Sequence, residues 1–109
     1  MTSAHPLSET IVTIAFQLKT PANVDGFLDL SARLEAWLQS RPGFRHYALY
    51  RSDIGWSDTM TWSDREAARA GNAAFMQTDL AQHMLSLVEP GYRSFVGDRV
   101  SLGNMKVNA

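Results

Sequence analysis

Polar and apolar side chains alternate with a period of two through most of residues 44–62, which predicts two strands joined by a tight turn. The turn falls at residues 52–55, Ser-Asp-Ile-Gly, with its centre near Ile54. In this register, the even-numbered side chains of both strands point toward the helical layer. Three cross-strand pairs follow from it: Tyr50 with Asp58, Ala48 with Met60, and His46 with Trp62.

Helical patterns precede and follow this hairpin. Apolar residues at spacings of three and four predict a first helix that begins at the N-cap Asn23 and ends at an Arg-Pro-Gly sequence. Ser63 and Glu66 have the spacing of a capping box, so the second helix is predicted to begin at Ser63. Thr78 offers a further N-cap inside this second helix, and we therefore expect a break or bend there.

Strands at both ends complete the pattern. Residues 10–19 are rich in β-branched side chains that alternate between two faces, and residues 94–102 alternate in the same way. The resulting order, β-α-β-β-α-β, is typical of the ferredoxin-like α+β fold, a four-stranded antiparallel sheet with helices on one face. Residues 9–102 are therefore predicted to form a single domain, with short tails at 1–8 and 103–109.

The composition narrows the range of functions. The 109-residue chain has a formal net charge of -1 and no charged blocks, so nucleic acid is not an expected partner. It contains no cysteine, which excludes disulfides, thiolate nucleophiles and iron–sulfur clusters. The N-terminal segment lacks a secretory signal, and no stretch has the ~20 apolar residues of a membrane helix. We therefore expect a cytoplasmic protein that makes no membrane contact.

The second face of the predicted sheet has no helices to cover it. We expect it to carry small, β-branched and aromatic side chains: Ile11, Thr13, Ala15, Tyr47, Leu49, Phe95 and Gly97. Because such a surface is too apolar to remain in water, we predict a homodimer in which two copies cover each other's open sheet face. The alternative is a monomer with a merely amphipathic sheet, since the threonines lower the hydrophobicity of this surface.

The segment RPGFRHYALYRSDIGWSDTMTWSDREAARAGNAAFM resembles the antibiotic biosynthesis monooxygenase-like proteins of the dimeric α/β-barrel superfamily. Six residues carry the match: Pro42, Gly43, Phe44, Trp62, Ser63 and Glu66. The resemblance implies a ferredoxin-like homodimer that oxygenates a small aromatic substrate without a cofactor. The haem-degrading branch of that family has an Asn on the first strand and a His soon after a Trp. This chain lacks both features, so no haem is expected.

Candidate site residues come mainly from the row predicted to face the helices. His46 and Asp58 are the candidate catalytic residues, because either side chain can accept a phenolic proton. Five more side chains are candidates for substrate binding: Tyr50, Trp56, Trp62, Asn72 and His83. His83 can either reach into a cleft or lie on the helix surface, and the surface position is favoured. In the structural alternative, Tyr50 only hydrogen-bonds to Asp58, and His46 packs on Trp62. The protein is then a non-catalytic ligand-binding or structural homodimer. The histidines lack metal-site spacing, so no metal ion is expected.

Overall fold

The sheet order places the two strands that are furthest apart in the chain next to each other. The computed structural model describes residues 9–20 and 22–101. Within these residues the elements are β1 (Thr10–Phe16), α1 (Val24–Leu38), β2 (Phe44–Ser52), β3 (Gly55–Trp62), α2 (Arg65–Phe75), α3 (Asp79–Ser86) and β4 (Arg93–Asp98). The strands form one antiparallel sheet in the order β2-β3-β1-β4. The predicted ferredoxin-like α+β fold is confirmed, with its second helix divided in two.

The core lies between one face of the sheet and the three helices. The buried apolar face of α1 consists of Phe27, Leu30, Leu34 and Leu38. These side chains pack with Phe16 and Trp62 from the sheet and with Ala68 and Met84 from α2 and α3. Burial of such side chains contributes roughly 25 cal/mol per Å² of apolar surface, which makes this layer the main source of stability.

Side-chain caps set the starts of α1 and α3. The predicted cap at Asn23 is confirmed, because its Oδ1 accepts hydrogen bonds from the backbone N–H groups of Asp25 and Gly26. The predicted break at Thr78 is confirmed as well. Its Oγ1 accepts a hydrogen bond from the Ala81 N–H at 3.0 Å and starts α3 as a separate helix.

The capping box predicted at Ser63 is wrong. α2 begins one residue later, where the Asp64 carboxylate accepts a hydrogen bond from the Ala67 N–H at 2.8 Å. The Ser63 backbone N–H donates to the Gly43 carbonyl oxygen at 2.7 Å, which ties this residue to the loop before β2. Glu66 forms a surface ion pair along α2 instead of bonding back to the cap.

The register of the β2–β3 hairpin differs by one residue from the prediction. The turn contains only residues 53 and 54, because Ser52 pairs with Gly55. The observed pairs therefore replace the predicted ones: Tyr47 with Met60, Leu49 with Asp58, and Arg51 with Trp56. Even-numbered side chains of β3 face the helices as predicted, but their partners on β2 are odd-numbered.

A β-bulge near the start of β2 changes the pairing register between Phe44 and His46. Phe44 pairs with Trp62, and the next paired residue of β2 is His46, opposite Thr61. Because side chains alternate along a strand, the extra residue moves every later side chain of β2 to the other face. Phe44 thus faces the helices together with the odd-numbered residues that follow the bulge.

All side chains of β2 after the bulge therefore lie on the face opposite to the one predicted. His46 and Tyr50, which we expected to face the helices, lie on the outer face, and Tyr50 is 56% exposed. Tyr47 and Leu49, expected on the outer face, pack against the core. The prediction that His46 and Tyr50 point toward the helical layer is wrong, because it assumed an unbroken alternation from Phe44 onward.

β4 is shorter than the predicted strand over residues 94–102. Val96 pairs with Val12 and Phe95 pairs with Thr13, so the predicted division of β4 between two faces is confirmed. Val100 lies beyond the strand and is 87% exposed. The predicted tails at residues 1–8 and 103–109 lie outside the described residues. No helix in the described part of the chain has the length and apolar character needed to cross a bilayer.

Candidate functional site

A cavity of about 800 Å³ lies between the sheet and the helices. Its walls are mainly apolar and come from β1, β3, β4 and the three helices. Representative lining residues are Ile14, Leu34, Phe75, Met84 and Val96. This volume lies in the range typical of small-molecule sites, which are concave and mostly apolar with few polar groups.

Asp58 is the carboxylic acid of this cavity. It lies on the helix-facing side of β3 between Trp56 and Met60, and it is only 7% exposed. Burial raises the pKa of Asp58 to about 7, and a hydrogen bond from Tyr47 acts in the opposite direction. Oδ1 of Asp58 has no hydrogen-bond partner among the described residues. A buried carboxyl with a free oxygen and a pKa near neutrality is suited to accept or donate a proton.

The other oxygen of Asp58 belongs to a chain of buried hydroxyl groups. The Tyr47 hydroxyl lies 3.5 Å from Oδ2 of Asp58, and it lies 2.7 Å from Oγ of Ser31 on α1. Burial raises the pKa of the Tyr47 hydroxyl far above its usual value, so this group remains protonated at neutral pH. The two long-range contacts connect α1, β2 and β3 at the cavity wall.

Trp62 forms an aromatic wall of the cavity and is almost fully buried. Its ring packs edge-on against Phe44, with 5.5 Å between the ring centroids. Gly71 on α2 permits this position, since a Cβ at Gly71 would overlap the far end of the indole. The small-residue segment of α2 therefore brings the helix close to Trp62.

The open side of the cavity is lined by exposed polar residues of α2. Asn72 lies there, together with Arg65 and Arg69. Each arginine already forms an ion pair, Arg65 with Asp98 at 3.3 Å and Arg69 with its helix neighbour Glu66. The polar groups of the cavity are thus concentrated at its entrance and at Asp58.

The structure brings together only some of the predicted site residues. Asp58, Trp62 and Asn72 line the cavity. His46 and Tyr50 lie on the outer face of the sheet, and the exposed His83 is not among the lining residues.

Trp56 faces the helices but lies at the hairpin end of the sheet. It packs against Phe27, and the Arg51 guanidinium lies 4.9 Å from the centre of its ring. Trp56 and Tyr50 line a second, more open groove of about 440 Å³ at this end. That groove contains no buried carboxyl, so the larger cavity is the better candidate for chemistry. Within residues 9–20 and 22–101, no three His, Asp or Glu side chains lie close enough to share a metal ion.

The sequence interpretation missed Tyr47 and Ser31 as functional candidates. Both residues depend on the hairpin register, because Tyr47 reaches Asp58 only when the turn has two residues. Tyr47 had no clear local signal, since two-residue turns favour glycine at a central position and this turn has Asp53 and Ile54 there. Ser31 had none either, because a serine in a helical stretch usually faces solvent.

Comparison with known proteins supports the architecture. No protein-family model and no curated protein sequence matches the chain. The cofactor-independent oxygenase SnoaB from Streptomyces nogalater matches 90% of this chain and 97% of its own, with 18% identity and a TM-score of 0.73. The chain shares the fold of monooxygenase-like proteins. The predicted resemblance to the antibiotic biosynthesis monooxygenase-like proteins is thereby confirmed at the level of structure.

Two further structures extend this comparison. The ActVA-Orf6 monooxygenase of Streptomyces coelicolor, in complex with nanaomycin D, matches 95% of this chain and 96% of its own. Its identity is 17% and its TM-score is 0.72. A dimeric ferredoxin-like protein of unknown function from Jannaschia matches 83% of this chain and 98% of its own, with 10% identity and a TM-score of 0.65.

Proposed function

We propose that this protein is a cofactor-independent monooxygenase that oxygenates a small aromatic substrate with a phenolic hydroxyl. The observation that carries the proposal is Asp58, a buried carboxyl with a pKa raised to about 7 and one oxygen free of protein partners. It faces a cavity with largely apolar walls, which suit an aromatic ring system. A phenol is the substrate class that such a base activates by removing one proton.

In the proposed reaction, ionised Asp58 accepts the phenolic proton at Oδ1. The phenolate then carries increased electron density on its ring carbons, and one of these carbons forms a bond to dioxygen. Loss of the proton on that carbon and cleavage of the O–O bond release water and leave a quinone. One hydroxyarene and one dioxygen give one quinone and one water, so dioxygen is the oxidant and the ring carbon is oxidised.

The remaining lining residues have supporting roles in this proposal. Trp62 provides a flat wall against which the aromatic substrate stacks, and Asn72 hydrogen-bonds to polar substituents at the open side. Support also comes from the structural neighbours, since SnoaB is described as a cofactor-independent oxygenase and ActVA-Orf6 as a monooxygenase.

Oxygen uptake with a panel of phenols tests the proposal. The wild-type protein should consume dioxygen with at least one phenol, and Asp58→Asn should lower the rate by about 100-fold or more because the base is lost. Asp53→Asn is the matched control, since Asp53 is exposed in the hairpin turn, and it should retain the wild-type rate. His46→Ala should also retain it, because His46 lies on the outer face. Equal uptake by wild type and Asp58→Asn would contradict the proposal.

A non-catalytic small-ligand-binding protein is the second candidate, and the largely apolar cavity is the observation that favours it. This function predicts saturable binding of aromatic compounds without oxygen uptake. Quenching of tryptophan fluorescence on ligand addition measures the binding directly. The oxygen electrode then distinguishes the two functions with the same compounds.

We also propose that the protein is a homodimer that pairs through its outer sheet face. Ile11 and Thr13 of β1, Ala48 of β2 and the 66%-exposed Phe95 of β4 lie on this face. Exposed apolar patches of this kind mark interaction surfaces. The dimeric ferredoxin-like protein from Jannaschia supports this arrangement by its shared fold.

A further inference from the structure

A line of three polar side chains crosses the core beside the cavity. Ser31 on α1 is 5% exposed, Tyr47 on β2 is partly buried, and Asp58 on β3 is 7% exposed. Their contacts join residues that are far apart in the chain, 2.7 Å from Ser31 Oγ to the Tyr47 hydroxyl and 3.5 Å from that hydroxyl to Oδ2 of Asp58. Buried polar groups reduce stability unless they are hydrogen-bonded, and these two contacts supply a hydrogen bond to each of the three side chains.

The chemistry of the three groups fixes the direction of the hydrogen bonds when Asp58 is ionised. A carboxylate only accepts, so the single proton of the Tyr47 hydroxyl points to Oδ2. The Tyr47 oxygen then has a free lone pair, which accepts the proton of the Ser31 hydroxyl. Oδ1 of Asp58 receives no bond from the described residues.

We propose that Ser31 and Tyr47 are positioning residues, which hold Asp58 through Oδ2 and leave Oδ1 as the atom that takes the proton of the bound substrate. This inference rests on the proposed function, because it assigns a task to the side chains behind the base. It divides the two oxygens of one carboxyl between an anchor and a reacting position.

The hydrogen bonds from Ser31 through Tyr47 also affect the pKa of Asp58. Hydrogen bonds to an ionised acceptor are stronger than those to a neutral one, so the Tyr47 bond stabilises the carboxylate form. This effect opposes burial, which is the larger influence on the Asp58 pKa. Without the Tyr47 hydroxyl, the pKa of Asp58 is higher and a smaller fraction of Asp58 is ionised at neutral pH. Fewer molecules then have a carboxylate that can accept the substrate proton.

The other charged groups near Ser31, Tyr47 and Asp58 are more distant or already paired. On β2, Arg51 shares the face of Tyr47 but lies over the Trp56 ring. From α1, the exposed Glu35 makes only a minor contribution, which raises the pKa of Tyr47.

From α2, Arg65 and Arg69 line the cavity, and each is in an ion pair. The segment before β4 contributes Tyr92. β1 and α3 present only apolar lining residues. Tyr47 is therefore the described group that hydrogen-bonds directly to Asp58.

The test follows the chemical shift of the Asp58 carboxyl carbon by NMR as the pH is varied through neutrality. The variants are Tyr47→Phe, which removes only the hydroxyl, and Ser31→Ala, which removes the second bond. Tyr50→Phe is the matched control, because Tyr50 lies on the outer face of the same strand. Tyr47→Phe should raise the Asp58 pKa by on the order of one unit, and Ser31→Ala should raise it by less. Tyr50→Phe should leave it unchanged.

The pH dependence of oxygen uptake gives a second readout. In Tyr47→Phe the rising limb of the rate should move to higher pH by the same amount, whereas a purely structural loss would lower the rate equally at every pH. An Asp58 pKa that is the same in Tyr47→Phe, Ser31→Ala and wild type would overturn the inference. This result is independent of the proposed function, which fails instead when Asp58→Asn consumes dioxygen as fast as wild type. The NMR titration needs no substrate, so the inference is testable even if no phenol is oxidised.

Discussion

Asp58 links the stability of the fold to pH. Its pKa is about 7 in the folded protein and 3.8 in the reference state, so between these values the folded protein binds a proton that the unfolded chain has released. The contribution of Asp58 to stability is therefore greatest below pH 3.8, falls as the pH rises toward 7, and is constant above it.

We predict that Asp58→Asn removes this pH dependence. Since one pKa unit corresponds to 1.36 kcal/mol, ionisation of Asp58 opposes folding by up to about 4 kcal/mol at alkaline pH. Urea unfolding at several pH values should show the wild-type free energy of unfolding falling toward neutrality, relative to that of Asp58→Asn. Parallel curves for the two proteins would show that Asp58 titrates normally.

Gly71 sets how closely α2 approaches Trp62. A Cβ at this position would overlap the indole, so Gly71→Ala must displace a buried side chain into the cavity. We predict a loss of stability of about 1–3 kcal/mol and weaker binding of aromatic ligands. Gly26→Ala is the matched control, because a Cβ there would make ordinary contacts of 3.7 Å with Asn23, and it should not destabilise the protein. Thermal unfolding of both variants checks the prediction, and similar behaviour would contradict it.

At the scale of single elements, the start of α2 depends on Asp64. Its carboxylate bonds to the Ala67 N–H at 2.8 Å, whereas Ser63 is tied by its backbone to Gly43. We predict that Asp64→Ala lowers the free energy of unfolding by about 1 kcal/mol, as is typical for loss of an N-cap. Ser63→Ala should have a clearly smaller effect, and Asp64→Asn should retain most of the stability. A larger loss in Ser63→Ala than in Asp64→Ala would restore the capping box as the better description.

The sequence was sufficient to predict most elements, because their signals are local. Asn23 and Thr78 are capping residues just before an apolar repeat, and the structure confirms both as N-caps. At α2, two good capping residues are adjacent in the sequence. The choice between Ser63 and Asp64 depends on the contact with Gly43, which lies 20 positions earlier in the chain and has no local signal.

The candidate site was predicted less completely for a similar reason. On β3, alternation correctly brought Asp58 and Trp62 to the helical side. On β2, aromatic and aliphatic side chains occur in both phases of the alternation, so the pattern does not distinguish Tyr47 from Tyr50. Turn length and the bulge before His46 decide between them, and both depend on how the whole hairpin packs.

At the scale of the whole molecule, one face of the sheet lines the cavity and the other is a candidate dimer interface. The helix-facing side encloses the cavity, and its polar chain from Ser31 to Asp58 lies within one subunit. No helix in residues 9–20 and 22–101 covers the outer side, which carries the exposed ring of Phe95 close to Gly97. A homodimer through the outer side would therefore add stability without supplying residues to the cavity.

This separation leads to a prediction for Phe95→Glu. A charge in an apolar interface of about 1,600 Å² is costly to bury, so the variant should sediment as a monomer where the wild type sediments as a dimer. The monomer should stay folded, because Phe95 is 66% exposed within one subunit. Leu28→Glu is the matched control: Leu28 is a 42%-exposed residue of α1, on the helical layer, and its replacement should leave the dimer intact. A wild-type monomer at micromolar concentration would contradict the dimer, whereas aromatic ligand binding by the Phe95→Glu monomer would show that each cavity is complete in one chain.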